Sequence, residues 1–113
     1  MSQTTAPRWE RKRTRETRLV EETIEKAGFP QVNTYRYNSA SIRVRVIDPR
    51  FEGLSFGKRV DLVEPCLEQL PERTQADIFE LFLFTPSELQ EAPETLGEFL
   101  KNKEFDHPSP SRL

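Results

Sequence analysis

The sequence predicts a single α+β domain. Three observations carry this: an amphipathic run over residues 14–27 that stops at a glycine, two β-rich runs joined by a short polar connection, and an apolar run at 78–84 that leads into a helix-start signature. A chain of 113 residues fits one domain, because typical domains hold roughly 100–150 residues. The apolar fraction of 35% and charged fraction of 32% place solvated ends around a compact middle. The expected organisation is a disordered basic arm over residues 1–13, a folded body over 14–103 and a disordered tail over 104–113. Trp9 is the exception within the arm, as a residue expected to dock on the body.

From Thr14 to Ala27 the positions Leu19, Val20, Thr23, Ile24 and Ala27 recur at helical spacing, and Glu21, Glu22, Glu25 and Lys26 take the other face. Gly28 supplies the stop and Pro30 prevents continuation. Val32 to Tyr37 and Ser41 to Ile47 read as strands of a hairpin around Asn38-Ser39-Ala40. In the second strand Ile42, Val44 and Val46 alternate with Arg43 and Arg45, which predicts the aliphatics on the core and the arginines on a wetter face. Tyr35 and Tyr37 share one face of the first strand, with Arg36 on the other.

Asp48-Pro49 ends the hairpin, and Arg50 to Gly57 reads as a structured loop with two glycines and two phenylalanines. Phe51 is expected in the core. Lys58 to Leu70 has helical spacing through Val60, Val63, Leu67 and Leu70, with Pro65 predicting a kink or a junction near Glu64. Pro71 to Asp77 reads as a turn. The run Ile78 to Phe84 reads as a strand covered on both faces. Thr85-Pro86-Ser87-Glu88 is a capping box with proline at the first helical position, and a further short helix is expected after Pro93 through Leu96, Phe99 and Leu100.

Several functions are disfavoured by composition. No window reaches the roughly 18 uninterrupted apolar residues of a membrane span, and the N-terminus lacks the apolar stretch of a secretory signal, so a cytoplasmic location without membrane contact is expected. Cys66 and His107 are the only cysteine and histidine, which leaves no Cys/His zinc set. Carboxylate pairs such as Asp61/Glu64 and Glu88/Glu91 read as solvated helix faces. Gly-x-Ser-x-Gly and phosphate-loop motifs are absent. The chain is therefore not expected to be an enzyme, nor to hold a metal or cofactor.

The element order, with Asp48-Pro49-Arg50-Phe51-Glu52-Gly53 followed by Arg59, Val63 and Leu67, resembles BolA-like proteins over roughly residues 15–90. The stretch Leu81-Phe82-Leu83-Phe84-Thr85-Pro86-Ser87-Glu88 is similar to that family's last strand and following helix start. The resemblance implies a class II KH-like fold, a three-stranded mixed sheet with helices on one face, in the order α-β-β-α(α)-β-α. It also implies binding of monothiol glutaredoxins in iron–sulfur cluster handling and, for some members, DNA binding as transcriptional regulators. This chain departs from the family at its histidines: Val60 stands where one follows the arginine, and Asp77 stands near the other. Valine cannot ligate iron and a lone aspartate is a poor substitute. Cys66, spaced with Val63, Leu67 and Leu70, falls on the buried side of its helix, where a free cysteine acts as a small hydrophobe.

Two partner classes follow. A protein partner, of glutaredoxin-like type, suits the loop phenylalanines, Trp9 and an open sheet edge. It would be bound without histidine ligation of a cluster. The alternative is a nucleic-acid-binding regulator. Residues 1–18 carry six basic residues against Glu10 and Glu16, a charge of +4 that leaves −6 on the rest of a chain of net −2. This arm reads first as a solvated leader and second as a phosphate contact. The loop Gly53 to Gly57 is one residue longer than the KH Gly-x-x-Gly and precedes its helix. The expected contact residues for either partner are Arg50, Gly53, Gly57, Lys58 and Arg59, with Arg43 and Arg45 on the neighbouring strand. The overall pI of about 5.5 and the acids Asp61, Glu64 and Glu68 weigh against nucleic acid.

Overall fold

Thr14 opens helix α1 (Arg15–Lys26) through a reciprocal cap with Thr17, each hydroxyl accepting the other residue's backbone N–H. Gly28, at φ 105°, turns the chain out of the helix in a conformation that only glycine adopts freely. Strands β1 (Val32–Asn38) and β2 (Ser41–Ile47) then pair antiparallel around Ser39-Ala40. Helix α2 (Phe56–Leu67), helix α3 (Glu72–Asp77), strand β3 (Ile78–Phe84) and helix α4 (Pro86–Glu91) follow. The computed structural model describes residues 9–91 and 102–108. It is an α+β domain with one mixed sheet of order β1-β2-β3, in which β3 runs parallel to β2.

One face of the sheet builds the main core. Ile42, Val44, Val46 and Leu83 meet Val20 and Ile24 of α1 and Val63, Cys66 and Leu67 of α2, with Phe51 from the loop at 0% exposure. Burial of this kind contributes roughly 25 cal/mol per Å² of apolar surface, and it sets the register. A one-residue slip of β2 would bring its arginines to this face. Glu21, expected on the solvated side of α1, is buried instead, and Leu19 is the residue left partly exposed. The reason is a polar tie within the core: the Glu21 carboxylate accepts from the backbone N–H and hydroxyl of Thr34 (3.1 and 2.8 Å) and from Arg13 (2.6 Å). A buried carboxylate with its acceptors used in this way is tolerated, whereas an unpaired one is not.

The opposite face corrects the expectation of a wet surface. Arg43 and Arg45 do alternate away from the aliphatics, but both are buried, because this face carries a second apolar cluster of Trp9, Tyr35, Phe82, Phe84 and Phe105. Two segments expected to be disordered supply its cover. Trp9 docks as expected, and it leads a 3-10 turn over Glu10–Lys12. Residues 102–106 are helical and insert Phe105, fully buried, against Trp9, Tyr35 and Phe82 with ring centroids 4.8–5.5 Å apart.

Smaller differences have local causes. Helix α2 begins two residues before Lys58 because Ser55 caps it, its hydroxyl accepting from the Lys58 N–H. Pro65 sits inside the same helix, in its last turn, and the helix ends at Leu67. Pro71 leads into helix α3 where a turn was expected; Gln75 of that helix donates to the Leu70 and Glu68 carbonyls left free after α2. Strand β3 has both faces covered only in its second half. The helix expected through Leu96, Phe99 and Leu100 lies outside the described residues.

Candidate functional site

The loop between β2 and α2 is built on Asp48, whose carboxylate accepts from the Arg50 backbone N–H (2.8 Å) and side chain (2.9 Å). Burial opposes ionisation of Asp48, but the bonds from Arg50 outweigh it and hold the carboxyl below its ordinary range. Arg50 also donates to the Gly28 carbonyl and lies 4.1 Å over the Phe29 ring. Although solvent reaches it, this side chain is a strut between the loop and the end of α1. Gly53, at φ 75°, makes the turn that follows, and the Leu54 N–H closes onto the Phe51 carbonyl at 3.0 Å. The loop thus presents Gly53, Gly57 and Lys58 on an exposed rim.

Arg59 does not join that rim. It is 9% exposed and spends its guanidinium inward, on the carbonyls of Leu54 (3.0 Å) and Leu83 (2.9 Å) and on both oxygens of Glu88 (2.8 Å each). Glu88 is the glutamate of the expected capping box, which is present: its carboxylate accepts from the Thr85 N–H and its own N–H donates to the Thr85 hydroxyl. One carboxylate thereby caps α4 and pins α2 to the end of β3. The Arg59 bond holds the Glu88 carboxyl below the ordinary carboxylate range, against the opposing effect of burial. A carboxyl depressed in the folded state contributes stability that is complete above its unfolded value of about 4.3 and is lost as pH falls through the folded one. Glu88→Gln keeps the cap but removes the titration. Urea melts from neutral pH to about pH 3 should therefore show a shallower acid limb for Glu88→Gln than for the wild type; parallel limbs would mean that this pair adds nothing to acid sensitivity.

Arg43 and Arg45 lie on the sheet face turned away from α2, and they too are engaged. Arg43 donates to the Tyr35 hydroxyl (3.0 Å) and Glu104 (2.9 Å), and lies 3.8 Å over the Tyr37 ring. Arg45 donates to Asn33, Asn102 (2.8 Å) and Asp106 (2.7 Å). Burial pushes the Tyr35 phenol up to about 12, so it accepts from Arg43 as a neutral hydroxyl. The expected contact set therefore divides: Gly53, Gly57 and Lys58 are exposed, Arg50 braces the loop, and Arg43, Arg45 and Arg59 are structural.

The two positions compared above with histidines of BolA-like proteins are also accounted for. Val60 packs against the main core, and Asp77 pairs with Arg36 at 3.2 Å. Cys66 is buried, its thiol donating to the Val63 carbonyl, and burial pushes its pKa up. Among the described residues no three His, Cys, Asp or Glu side chains are grouped to hold a metal ion, and no helix is long and apolar enough to cross a membrane. A hollow of about 790 Å³ lies beside the start of α1 and far from the loop rim in sequence; it is open, with Arg15 and Arg18 set among Glu16 and Glu22.

The surface feature missing from the sequence expectation is Phe79. It is 72% exposed, the most exposed of the large apolar side chains among the described residues, and with the half-exposed Phe56 it lines a shallow hollow at the edge of β3. Its outward position comes from the ladder: Ile42 is opposite Ile78 and Arg43 opposite Glu80, so Phe79 is an extra residue bulged out of register. An almost continuous apolar run has no periodicity from which such a bulge can be read. Comparison of the chain with protein-family models, curated proteins and solved structures gives no match.

Proposed function

We propose that this chain is a cytoplasmic, non-catalytic, BolA-like binding protein whose partner is a protein of monothiol glutaredoxin type, bound without histidine ligation of an iron–sulfur cluster. The observation that supports a protein partner most directly is the contrast between two sets of side chains. The exposed rim beside the Gly53–Gly57 loop offers apolar Phe56 and Phe79, whereas Arg43, Arg45 and Arg59, which a nucleic-acid surface would need, are buried in internal ion pairs. Aromatic side chains are the residues that most often anchor protein interfaces. Phosphate recognition instead depends on basic groups free to displace counterions.

The test is to mix the protein with a monothiol glutaredoxin, with and without iron and sulfide, and to measure complex formation by gel filtration and absorbance. A complex that forms without a cluster is expected. Lys58→Glu should weaken it roughly three- to tenfold, mainly through the association rate. A heterodimer that forms only around a cluster would overturn the proposal about ligation. Failure to bind any glutaredoxin, together with binding to single-stranded nucleic acid that falls steeply with salt, would favour the nucleic-acid alternative.

A further inference from the structure

Strand β3 is an edge strand, paired with β2 on one side only among the described residues. Successive residues of a strand send their backbone groups to alternate sides. The Phe84 carbonyl accepts from the Asp48 N–H on the β2 side (2.9 Å), so Leu83 and Leu81 direct theirs outward. Arg59 takes the Leu83 carbonyl and closes that end of the edge. Among the described residues, none pairs with the outer side of the stretch from Phe79 to Leu81.

Proteins usually blunt such an edge with a charge, a proline, a bulge or a covering element. Here the bulge at the edge carries an exposed phenylalanine. Between the edge and α2 runs a groove of about 290 Å³ whose apolar lining includes Val60, Leu67, Ile78, Phe79 and Leu81. Its charged lining consists of Glu64 and Glu68, and no lysine or arginine lines it. An apolar trough with outward backbone groups on one wall and carboxylates on the other matches a particular chemistry. It suits an extended segment that gives main-chain hydrogen bonds to the edge, apolar side chains to the trough and basic side chains to the acids.

We infer that the Phe79–Leu81 edge takes a short extended segment of a protein partner as a fourth strand, one that turns both apolar and basic residues, at every second position, to the face of α2. The inference rests on the protein-partner proposal and adds how the partner is gripped. Arg59 limits the added strand to the first half of β3, and Phe79 is its anchor.

The test uses the full chain and three short synthetic peptides: one with valine and lysine taking turns at every second position and threonine between them, one with glutamate in place of lysine, and the lysine peptide N-methylated at alternate backbone nitrogens. Binding is followed by fluorescence anisotropy and by amide chemical shifts. The lysine peptide should bind and shift the Phe79–Leu81 amides. The glutamate and N-methylated peptides should bind at least roughly tenfold more weakly, as should the lysine peptide to Phe79→Lys, which removes an aromatic anchor. Phe79→Lys should leave the melting temperature unchanged, because the side chain it replaces is in water. Equal binding of the N-methylated peptide, or of the lysine peptide to Phe79→Lys, would overturn the inference. If no peptide binds while Phe79→Lys still captures glutaredoxin at wild-type strength, the strand inference fails and the binding proposal stands. If glutaredoxin is not captured but the lysine peptide binds through Phe79, the reverse holds.

Discussion

Phe105→Ala should destabilise the protein by about 3–5 kcal/mol, the usual cost of emptying a phenylalanine site in a core. The side chain is fully buried and touches three aromatic rings, so its loss leaves a cavity that those rings cannot close without moving. The arginines of that face raise the cost. Arg45 lies 4.4 Å over the Phe105 ring and bonds Asn102 and Asp106 on either side of it. A segment loosened at Phe105 therefore takes away the carboxylates that neutralise Arg43 and Arg45. Trp9 is the single tryptophan, and its ring lies 5.5 Å from Phe105, so its fluorescence reports directly on the site. The expected result is a lower urea midpoint together with a red-shifted emission. Unchanged emission with a melting temperature within about 2 °C of the wild type, far less than a core truncation causes, would show that the 102–108 segment is not part of the core.

Arg59→Ala should cost about 2–3 kcal/mol, near the lower end for breaking a buried ion pair, because Glu88 keeps part of its carboxylate in water. For a domain of this size that corresponds to a fall in melting temperature of roughly 10–15 °C. Arg59→Lys should recover less than half of it. A lysine supplies the charge but not the planar fork that reaches Glu88 with both nitrogens while also bonding Leu83 and Leu54. The measurement separates two roles for this residue. A surface contact would leave stability unchanged on truncation, whereas a brace between α2, β3 and α4 would not.

The elements that local rules govern were legible in the sequence. Helix α1, its glycine stop, the β1–β2 hairpin and the capping box at Thr85 each depend on residues within a few positions of one another. The face carrying Arg43 and Arg45 was not legible, because alternation identifies which residues share a side and leaves open what covers it. The partners Glu104 and Asp106 lie 61 positions away, in a segment too polar to read as core. Phe105 in its midst is the one signal, a single aromatic residue in the tail. At the candidate site the glycine loop was recognisable, but Arg59 read as a basic residue flanking it, and its partner Glu88, 29 positions on, as a local cap. That one carboxylate serves both is a three-dimensional fact. Phe79 was hidden in an almost continuous apolar run, and only the mismatch with β2 brings it to the surface.

The parallel pairing of β2 with β3 has a consequence for how the chain reaches its native state. The β1–β2 hairpin joins neighbours and can zip early, but β3 finds β2 only after residues 48–77 have traversed the sheet and folded into α2 and α3. Closing so long a loop before any ladder bond rewards it makes this the slow, high-contact-order step. Until it is complete, β2 is itself an open edge rich in isoleucine and valine, and the apolar run of β3 is uncovered. The interval between hairpin and finished sheet is thus when a newly made chain is most exposed to sticking to its own copies.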